Sequence, residues 1–232
     1  MKILILTSYT KNITWNDYGN CDFGNLSSIN HLKYSQKHNY SYLSRIVDEN
    51  DYTDRHLTWI KIDIIKNKLP FYDYVVWIDA DAIFMDMDVK IENFLEDDPN
   101  LVLPKMEMDK NSGNVWTSCS TGFMIWKNCD WSVDLLNDLW DNPGEFAFEF
   151  FHEQSLLDYK LSKHYELCPN IKSKEERDLE FAVMLDKVLV LPYSYQGCYQ
   201  DDDLKFIYHA SGNTPTKYQR LYDMIYGEKI KN

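Results

Sequence analysis

The hydrophobic pattern along the first third of the chain predicts strands and helices in alternation. Short uncharged runs rich in β-branched and aromatic residues fit buried strands, whereas apolar residues at near-helical spacing that stop before Pro70 fit a helix. The predicted order is strand 3–6, helix 26–38, strand 40–43, helix 54–68 with Asp54 as its N-cap, and strand 74–78. This βαβαβ order predicts an α/β fold with a parallel sheet.

The rest of the chain continues in a mixed pattern. Its predicted elements are helix 89–95 capped by Asp88, strand 101–103, loop 107–116, strand 122–126, helices 132–140 and 153–161, and strands 188–191 and 206–208. No internal repeat, low-complexity stretch or linker composition interrupts them, and 232 residues suit one well-buried core. We therefore expect a single domain over residues 1–232.

Two aspartates follow the strongest predicted strand, residues 74–78. Asp79 and Asp81 are separated by one alanine and flanked by apolar segments. Strand alternation would project both carboxylates to one side, where their charges repel and need compensation. Carboxylate oxygens are ligands that Mg²⁺ and Mn²⁺ favour, so the pair predicts a divalent cation site. Two solvated loop aspartates are the alternative in so acidic a chain.

A second candidate lies near the C-terminus, where strand 206–208 runs into His209 and then into small residues up to Gly212. Backbone without bulky side chains can approach a ligand closely. His209 could supply an imidazole ligand, and a hydrogen-bonded structural histidine is the alternative. Lys217 follows shortly after and could reach a phosphate as a point charge.

The net charge of -13 argues against a nucleic acid partner, because binding a phosphate backbone requires clustered Lys and Arg. The same acidity would repel a diphosphate ligand, so a bound cation is a natural intermediary between protein and nucleotide.

Cysteine spacing and hydropathy bear on the compartment. The five cysteines are scattered without a Cys-x-x-Cys pair, which favours reduced thiols, and none has the local signature of a catalytic nucleophile. The first apolar run is too short for a signal peptide, and none approaches the ~20 residues of a membrane span. We expect a soluble, cytoplasmic protein without a transmembrane segment.

An ordered series of motifs points to a known family. It comprises Asn30 with YSQKHNY at 34–40, Trp59-x-Lys61 ahead of YDYVVWIDADA at 72–82, STGFMIWKN at 120–128, EQSLL at 153–157, and FIYHASG at 206–212. In this series the chain resembles the GT-A-fold galactosyl- and mannosyltransferases of the GMA12/MNN10 type and their viral relatives.

The resemblance implies a Rossmann-like GT-A domain with a central mixed, mostly parallel sheet flanked by helices. Residues 1–103 would form its nucleotide-binding half and residues 104–232 its acceptor and catalytic half. The implied reaction is a retaining transfer of a hexose or pentose from a nucleotide-diphosphate sugar, with UDP-sugars favoured over GDP-mannose, to a glycan or glycoprotein acceptor. Mn²⁺ or Mg²⁺, ligated by Asp81, His209 and Asp79, would neutralise the diphosphate leaving group.

The resemblance also implies roles for individual residues. Gln154 and Glu153 would be the catalytic residues: Gln154 would lie near the anomeric carbon with Glu153 beside it, to stabilise an oxocarbenium-like state or orient the acceptor. The residues implied in binding the nucleotide-sugar are Thr7, Ser8, Tyr9, Lys61, Asp79, Ala80, Ser120, Gly212 and Lys217. Two positions depart from the family's pattern: Ser120 stands where asparagine is frequent, and Lys217 lies slightly farther from the histidine.

Two other functional classes fit parts of this pattern. A haloacid-dehalogenase-type phosphohydrolase would use Asp79 as a nucleophile, but its motif usually opens the chain and continues into Gly-Thr. A non-catalytic sugar-binding module would keep the aromatic residues and the cation, and Glu153 and Gln154 would then only begin a helix. The sequence contains no Gly-x-Ser-x-Gly, Gly-x-Gly-x-x-Gly or phosphate-loop motif, so acyl transfer, dinucleotide redox chemistry and loop-type NTP hydrolysis lack support.

Overall fold

The structure is a computed structural model. It describes residues 1–10, 14–15, 19–20, 23–48, 50–105, 119–148, 151–164, 183–197, 206–210, 221 and 224–226. The predicted loop 107–116 lies outside these residues. Within them, no helix combines the length and the apolar character needed to cross a membrane.

A seven-stranded mixed sheet forms the centre of the fold. The strands are β1 (Ile3–Thr10), β2 (Thr14–Trp15), β3 (Gly19–Asn20), β4 (Ser41–Val47), β5 (Tyr74–Ile78), β6 (Ala82–Phe84), β7 (Leu101–Pro104), β8 (Phe123–Lys127), β9 (Val183–Leu185), β10 (Val188–Leu191), β11 (Gln196–Gly197) and β12 (Ile207–His209). The central sheet has the order β4-β1-β5-β8-β7-β10-β9. Only β8 and β9 run antiparallel to their neighbours, so the predicted mostly parallel sheet is confirmed.

Helices cover both faces of this sheet. They are α1 (Phe23–His38), α2 (Ile60–Lys68), α3 (Asp130–Asp141) and α4 (His152–His164). Helix α1 contacts β1 and β4, whereas α2 contacts β1, β5 and α3. Successive strand residues alternate between the two cores: Leu4 and Trp77 pack in one, and Ile5 and Val76 in the other. Burial on both faces explains why these strands are continuously apolar.

Two predicted helices differ from the observed structure. Helix 54–68 begins only at Ile60, after a 3₁₀ turn over Leu57–Trp59 that His56 caps, so Asp54 is not its N-cap. Helix 89–95 is only a 3₁₀ turn over Ile91–Phe94. The predicted cap, Asp88, instead pairs with Lys37 on the surface. In both places a 3₁₀ turn shares much of the apolar spacing of an α-helix, so the pattern could not separate them.

A second, three-stranded sheet of order β11-β12-β6 stands next to the carboxyl end of β5. Side chains of α1 fix the backbone of β6: the amide of Asn30 donates to Phe84 O (2.9 Å) and accepts from Phe84 N (2.8 Å). His31 Nε2 lies 2.8 Å from Ala82 O, and Nε2 is the donor because a carbonyl can only accept. Helix α1 therefore holds the segment that follows Asp81.

His31 should make stability depend on pH. Burial lowers its pKa to about 4, against the hydrogen bond to Ala82, which raises it. Between about pH 6.5 and 4, His31 is therefore protonated in the unfolded chain but stays neutral in the folded protein. The free energy of unfolding falls as the pH drops through this range. We expect His31 to cost about 2 kcal/mol of unfolding free energy at about pH 5 relative to pH 7.

Urea unfolding of the wild type and His31→Gln at these two pH values measures this contribution. Glutamine can still donate to Ala82 O but does not titrate, so the variant should lose less stability on acidification. Equal losses in both proteins would contradict the assignment.

Candidate active site

Asp79, Ala80 and Asp81 form a tight turn at the end of β5. Asp79 N donates to Gly122 O (2.8 Å), and Ala82 N donates back to Asp79 O (3.1 Å). The two carboxylates are thus brought to one side by the turn and not by strand alternation, which was the basis of the prediction. Both are only partly exposed.

Pairing of β12 with β6 brings His209 to this turn. His209 lies opposite Ala82 in the antiparallel register, and Ala210 N donates to Asp81 O (2.8 Å). His209 Nε2 lies 3.2 Å from Asp81 Oδ1 and 3.7 Å from Asp79 Oδ2. One potential ligand atom from each of the three residues falls within 4.8 Å of the others. The structure therefore assembles the three predicted metal ligands.

His209 and Asp81 stabilise each other's charged forms. Burial alone would lower the pKa of His209, but the Asp81 carboxylate, followed by that of Asp79, outweighs it and raises the pKa. Burial alone would raise the pKa of Asp81, but the charge of His209 and its hydrogen bond outweigh it and lower the pKa. A proton on His209 thus partly compensates the two carboxylates, and a cation would compete with it for the same site.

Lys61 lies beneath this cluster as a buried bridge between two carboxylates. Its ammonium group lies 3.1 Å from Asp79 Oδ1 and 3.0 Å from Glu153 Oε1. Burial would lower its pKa, but the two carboxylates outweigh burial and raise it. Asp79 Oδ1 also accepts a hydrogen bond from Trp77 Nε1 (2.6 Å). Lys61 therefore shares its single positive charge between Asp79 and Glu153.

Glu153 and Gln154 open α4 and are both buried. Gln154 Oε1 accepts from Thr121 N (3.1 Å), and the Thr121 hydroxyl lies within hydrogen-bonding distance of Gln154 Oε1 (3.3 Å) and Glu153 Oε1 (3.2 Å). Glu153 Oε2 is buried without a hydrogen-bond partner among the described residues. Glu153 and Gln154 therefore hold the segment that leads into β8. Glu153 Oε2 takes no part in these hydrogen bonds.

The backbone just before Glu153 is strained. Phe151 and His152 have φ values of 65° and 44°, in the left-handed region that non-glycine residues seldom occupy. Each such residue costs of order 1–3 kcal/mol, and such costs persist where the surrounding structure fixes the backbone, commonly at functional sites.

Ser120 contacts His209 indirectly, through Gln196. The Ser120 hydroxyl accepts from Gly122 N (3.1 Å) and lies 2.7 Å from Gln196 Nε2, which in turn lies 2.6 Å from His209 Nδ1. All three side chains are buried. Sequence reasoning identified Ser120 but not Gln196, which lies in no motif, and it also missed Thr121.

Thr7, Ser8 and Tyr9 lie within β1, which extends to Thr10 and not only to residue 6 as predicted. They pair with β4 on one side, while the β5 pairing stops at Leu6. The hydroxyls of Thr7 and Ser8 are buried without partners among the described residues, whereas Tyr9 OH donates to Asn25 (3.0 Å). Unpartnered buried hydroxyls at a strand's carboxyl end fit a polar ligand. Gly212 and Lys217 lie outside the described residues.

Gly122 allows β8 to approach His209. A Cβ atom at Gly122 would lie 2.4 Å from Cε1 of His209, which is closer than a carbon contact permits. Gly122→Ala should therefore displace the imidazole and weaken Mn²⁺ binding by about tenfold or more, because ligand groups must be held within about 0.5 Å.

Isothermal titration with MnCl₂ checks this expectation, and Gly144→Ala is the matched control. Gly144 has φ of +55°, and a Cβ atom added to it would meet no other atom within 4 Å. Alanine there should cost stability because of the backbone conformation but leave Mn²⁺ affinity unchanged. Unchanged affinity in Gly122→Ala would show that the ring has room to adapt.

Residues 2–112 match the model of the galactosyl transferase GMA12/MNN10 family. The chain is 32% identical over 133 residues to glycosyltransferase 6 of Arabidopsis thaliana (47% of this chain, 30% of the relative). It is 31% identical over 152 residues to the probable xyloglucan 6-xylosyltransferase 3 of the same plant (62% and 31%). A third relative is galactomannan galactosyltransferase 1 of Cyamopsis tetragonoloba, at 28% over 126 residues (52% and 28%).

The alignments cover less than a third of these relatives' lengths. The resemblance predicted from the sequence is confirmed over residues 2–112. The family match includes Lys61, Asp79 and Asp81 but ends before Glu153 and His209, so the grouping of those two with the aspartates rests on geometry.

Solved structures confirm the fold. A glycosyltransferase involved in glycosylation of the major capsid of PBCV-1 superposes with a TM-score of 0.64 at 15% identity, covering 97% of this chain and 98% of that one. The galactosyltransferase LgtC, in complex with donor and acceptor sugar analogues, gives 0.52 at 10% identity, with 99% and 97% covered. The predicted GT-A architecture is therefore correct.

Proposed function

We propose that this protein is a metal-dependent retaining glycosyltransferase. It would move a hexose or pentose from a nucleotide-diphosphate sugar, with UDP-sugars favoured over GDP-mannose, to a glycan or glycoprotein acceptor. The observation that carries the proposal is the convergence of Asp79, Asp81 and His209 at the carboxyl end of β5. Ligands of open α/β sheets bind at this edge.

The residues of this cluster fit a divalent cation. Two carboxylates and one imidazole supply oxygen and nitrogen ligands that suit Mn²⁺ or Mg²⁺, and their demand for positive charge is visible in the raised pKa of His209. When bound, the cation would neutralise the charge that develops on the diphosphate leaving group.

The other residues bind and orient the donor. Lys61 forms ion pairs with Asp79 and Glu153, and a carboxylate at Glu153 can stabilise positive charge at the anomeric carbon. Gln154 lies beside it and holds the Thr121 backbone in place. Ala80, in the turn between the two aspartates, would pack against the nucleotide-sugar.

The remaining assignments follow the two halves of a single domain. Residues 1–103 would bind the nucleotide, with the base near Thr7, Ser8 and Tyr9. Residues 104–232 would bind the acceptor and supply the catalytic groups, with Ser120 toward the donor sugar and Gly212 and Lys217 toward the phosphates.

A donor and acceptor screen tests the proposal. Purified protein with MnCl₂ is incubated with UDP-glucose, UDP-galactose, UDP-xylose or GDP-mannose and an oligosaccharide panel, while nucleotide release and the anomeric configuration of the product are measured. We expect Mn²⁺-dependent nucleotide release with one donor class and a product of retained configuration. An inverted product would contradict the retaining mechanism, and phosphate release from phosphomonoesters without sugar transfer would favour the phosphohydrolase.

A further inference from the structure

Gln196 is the buried neighbour of His209 on the side away from the carboxylates. Its amide nitrogen lies 2.6 Å from His209 Nδ1 and 2.7 Å from the Ser120 hydroxyl. Its amide oxygen is buried and has no hydrogen-bond partner among the described residues. Gln196 is 4% exposed, which leaves water little access to it.

The orientation of the Gln196 amide matches the His209 tautomer that carries its hydrogen on Nε2. Nδ1 then accepts a hydrogen bond from the Gln196 amide, and the ring hydrogen lies on Nε2, directed at Asp81. Binding a cation through Nε2 requires the lone pair on that atom, so the ring's one hydrogen must move to Nδ1. Nδ1–H then needs an acceptor, which an amide nitrogen cannot be.

Gln196 carries the required acceptor at the other end of its amide. A half-turn about the last side-chain bond exchanges the amide nitrogen and oxygen, which are nearly equal in size, and places Oε1 beside Nδ1. The Ser120 hydroxyl suits both arrangements because it can accept from the nitrogen or donate to the oxygen.

The surrounding backbone holds Gln196 in place for this role. Gln196 pairs with Ile207 in the parallel β11-β12 register, two residues before His209. A Cβ added at Gly122 would lie 3.0 Å from the Gln196 amide nitrogen, so the Gly122 backbone lies close to the amide. The amide can therefore turn over but has little room to move away.

We propose that Gln196 is a positioning residue for the cation: it presents Oε1 to His209 Nδ1–H and so directs Nε2 at the space between Asp79 and Asp81. The inference rests on the proposed cation site and deepens it. A singly protonated ring would move its hydrogen from Nε2 to Nδ1, and a doubly protonated ring would release the Nε2 proton to solvent and keep the one on Nδ1.

Two substitutions at Gln196 separate this role from simple packing. Gln196→Met keeps the length of the side chain but removes the acceptor, whereas Gln196→Glu keeps it. In titrations with MnCl₂ alone, we expect Gln196→Met to weaken binding about 10- to 100-fold, and Gln196→Glu to stay within about threefold of the wild type or bind more tightly. Gln36→Met, on the exposed face of α1, is the control for the substitution itself.

A second readout follows the hydrogen itself. In protein with ¹⁵N-labelled histidine and saturating MgCl₂, we expect a slowly exchanging Nδ1–H signal for His209 in the wild type and in Gln196→Glu, but not in Gln196→Met. Binding by Gln196→Met at wild-type affinity would overturn the inference. So would a Gln196→Glu variant that loses binding, which keeps the test decisive if Gln196→Met does not fold.

The outcomes also distinguish this inference from the proposed function. Wild-type protein that binds Mn²⁺ in a Gln196-dependent manner but transfers no sugar would support the inference and overturn the transferase. Sugar transfer that depends on Mn²⁺ but does not change when Gln196 is substituted would support the transferase and overturn the inference about Gln196.

Discussion

Asp81→Asn is expected to abolish Mn²⁺ binding at micromolar concentrations and to lower sugar transfer on the order of a thousand-fold, the scale of losing one group that stabilises developing charge. The substitution keeps the shape of the side chain but removes one of the two carboxylates and the pairing with His209 Nε2, 3.2 Å away. Without that charge, the site loses its main preference for a cation over water.

Isothermal titration with MnCl₂ and a radiolabelled-sugar transfer assay measure the two losses, and Asp97→Asn is the matched control. Asp97 is an exposed aspartate that precedes β7, so its replacement should leave both quantities unchanged. An Asp81→Asn protein that binds Mn²⁺ like the wild type would show that the cation site lies elsewhere.

Lys61→Met is expected to destabilise the protein by about 3–5 kcal/mol, the cost of leaving buried charges without their partner. The lysine side chain is only 7% exposed and forms ion pairs with both Asp79 and Glu153. Methionine fills much of the same space, so the loss would report the charge and not the packing. Urea unfolding near pH 7 measures it, and transfer should fall as well because Glu153 is no longer held in place.

A double variant and a surface control sharpen this test. Adding Glu153→Gln to Lys61→Met removes one of the two uncompensated carboxylates and should restore part of the stability. Lys37→Met breaks a pair with Asp88 that is mostly exposed, so it should have little effect. A Lys61→Met protein as stable as the wild type would contradict the bridging role.

Strands that are uncharged and apolar throughout were the most predictable part of the fold. The predicted bounds of 74–78 and 188–191 match β5 and β10, because burial on both faces requires a continuous apolar run. Strand β1 was predicted too short because Thr7 and Ser8 look like loop residues, although they are buried in the strand. Polarity alone cannot separate a loop from a buried strand end that faces a ligand.

The aspartates of the candidate site were predictable, and their surroundings were not. Asp79 and Asp81 follow a recognisable strand, whereas the position of His209 depends on β12 pairing with β6, which local patterns do not encode. Gln196 gives no signal at all, since a buried glutamine before a glycine matches no motif. His209 was a candidate from its own segment and from the resemblance, whereas Gln196 is identified only by its place in the β11-β12 register.

The ion pairs of Lys61 could likewise not be predicted from the sequence. The family resemblance implied that Lys61 binds the nucleotide-sugar, but the structure places Glu153 against its ammonium group from a different helix. Tertiary neighbours that are distant in sequence determine whether a lysine is free to bind a ligand or already neutralised.

If Asp79, Asp81 and His209 hold a divalent cation that binds a nucleotide diphosphate, nucleotide binding should depend on that cation. Isothermal titration of UDP and of GDP, each with MnCl₂ and with EDTA, measures this dependence. We predict that one of the two nucleotides binds in MnCl₂ and that its binding is lost in EDTA and in Asp81→Asn. Equal binding with and without the cation, or no binding of either nucleotide in MnCl₂, would contradict it.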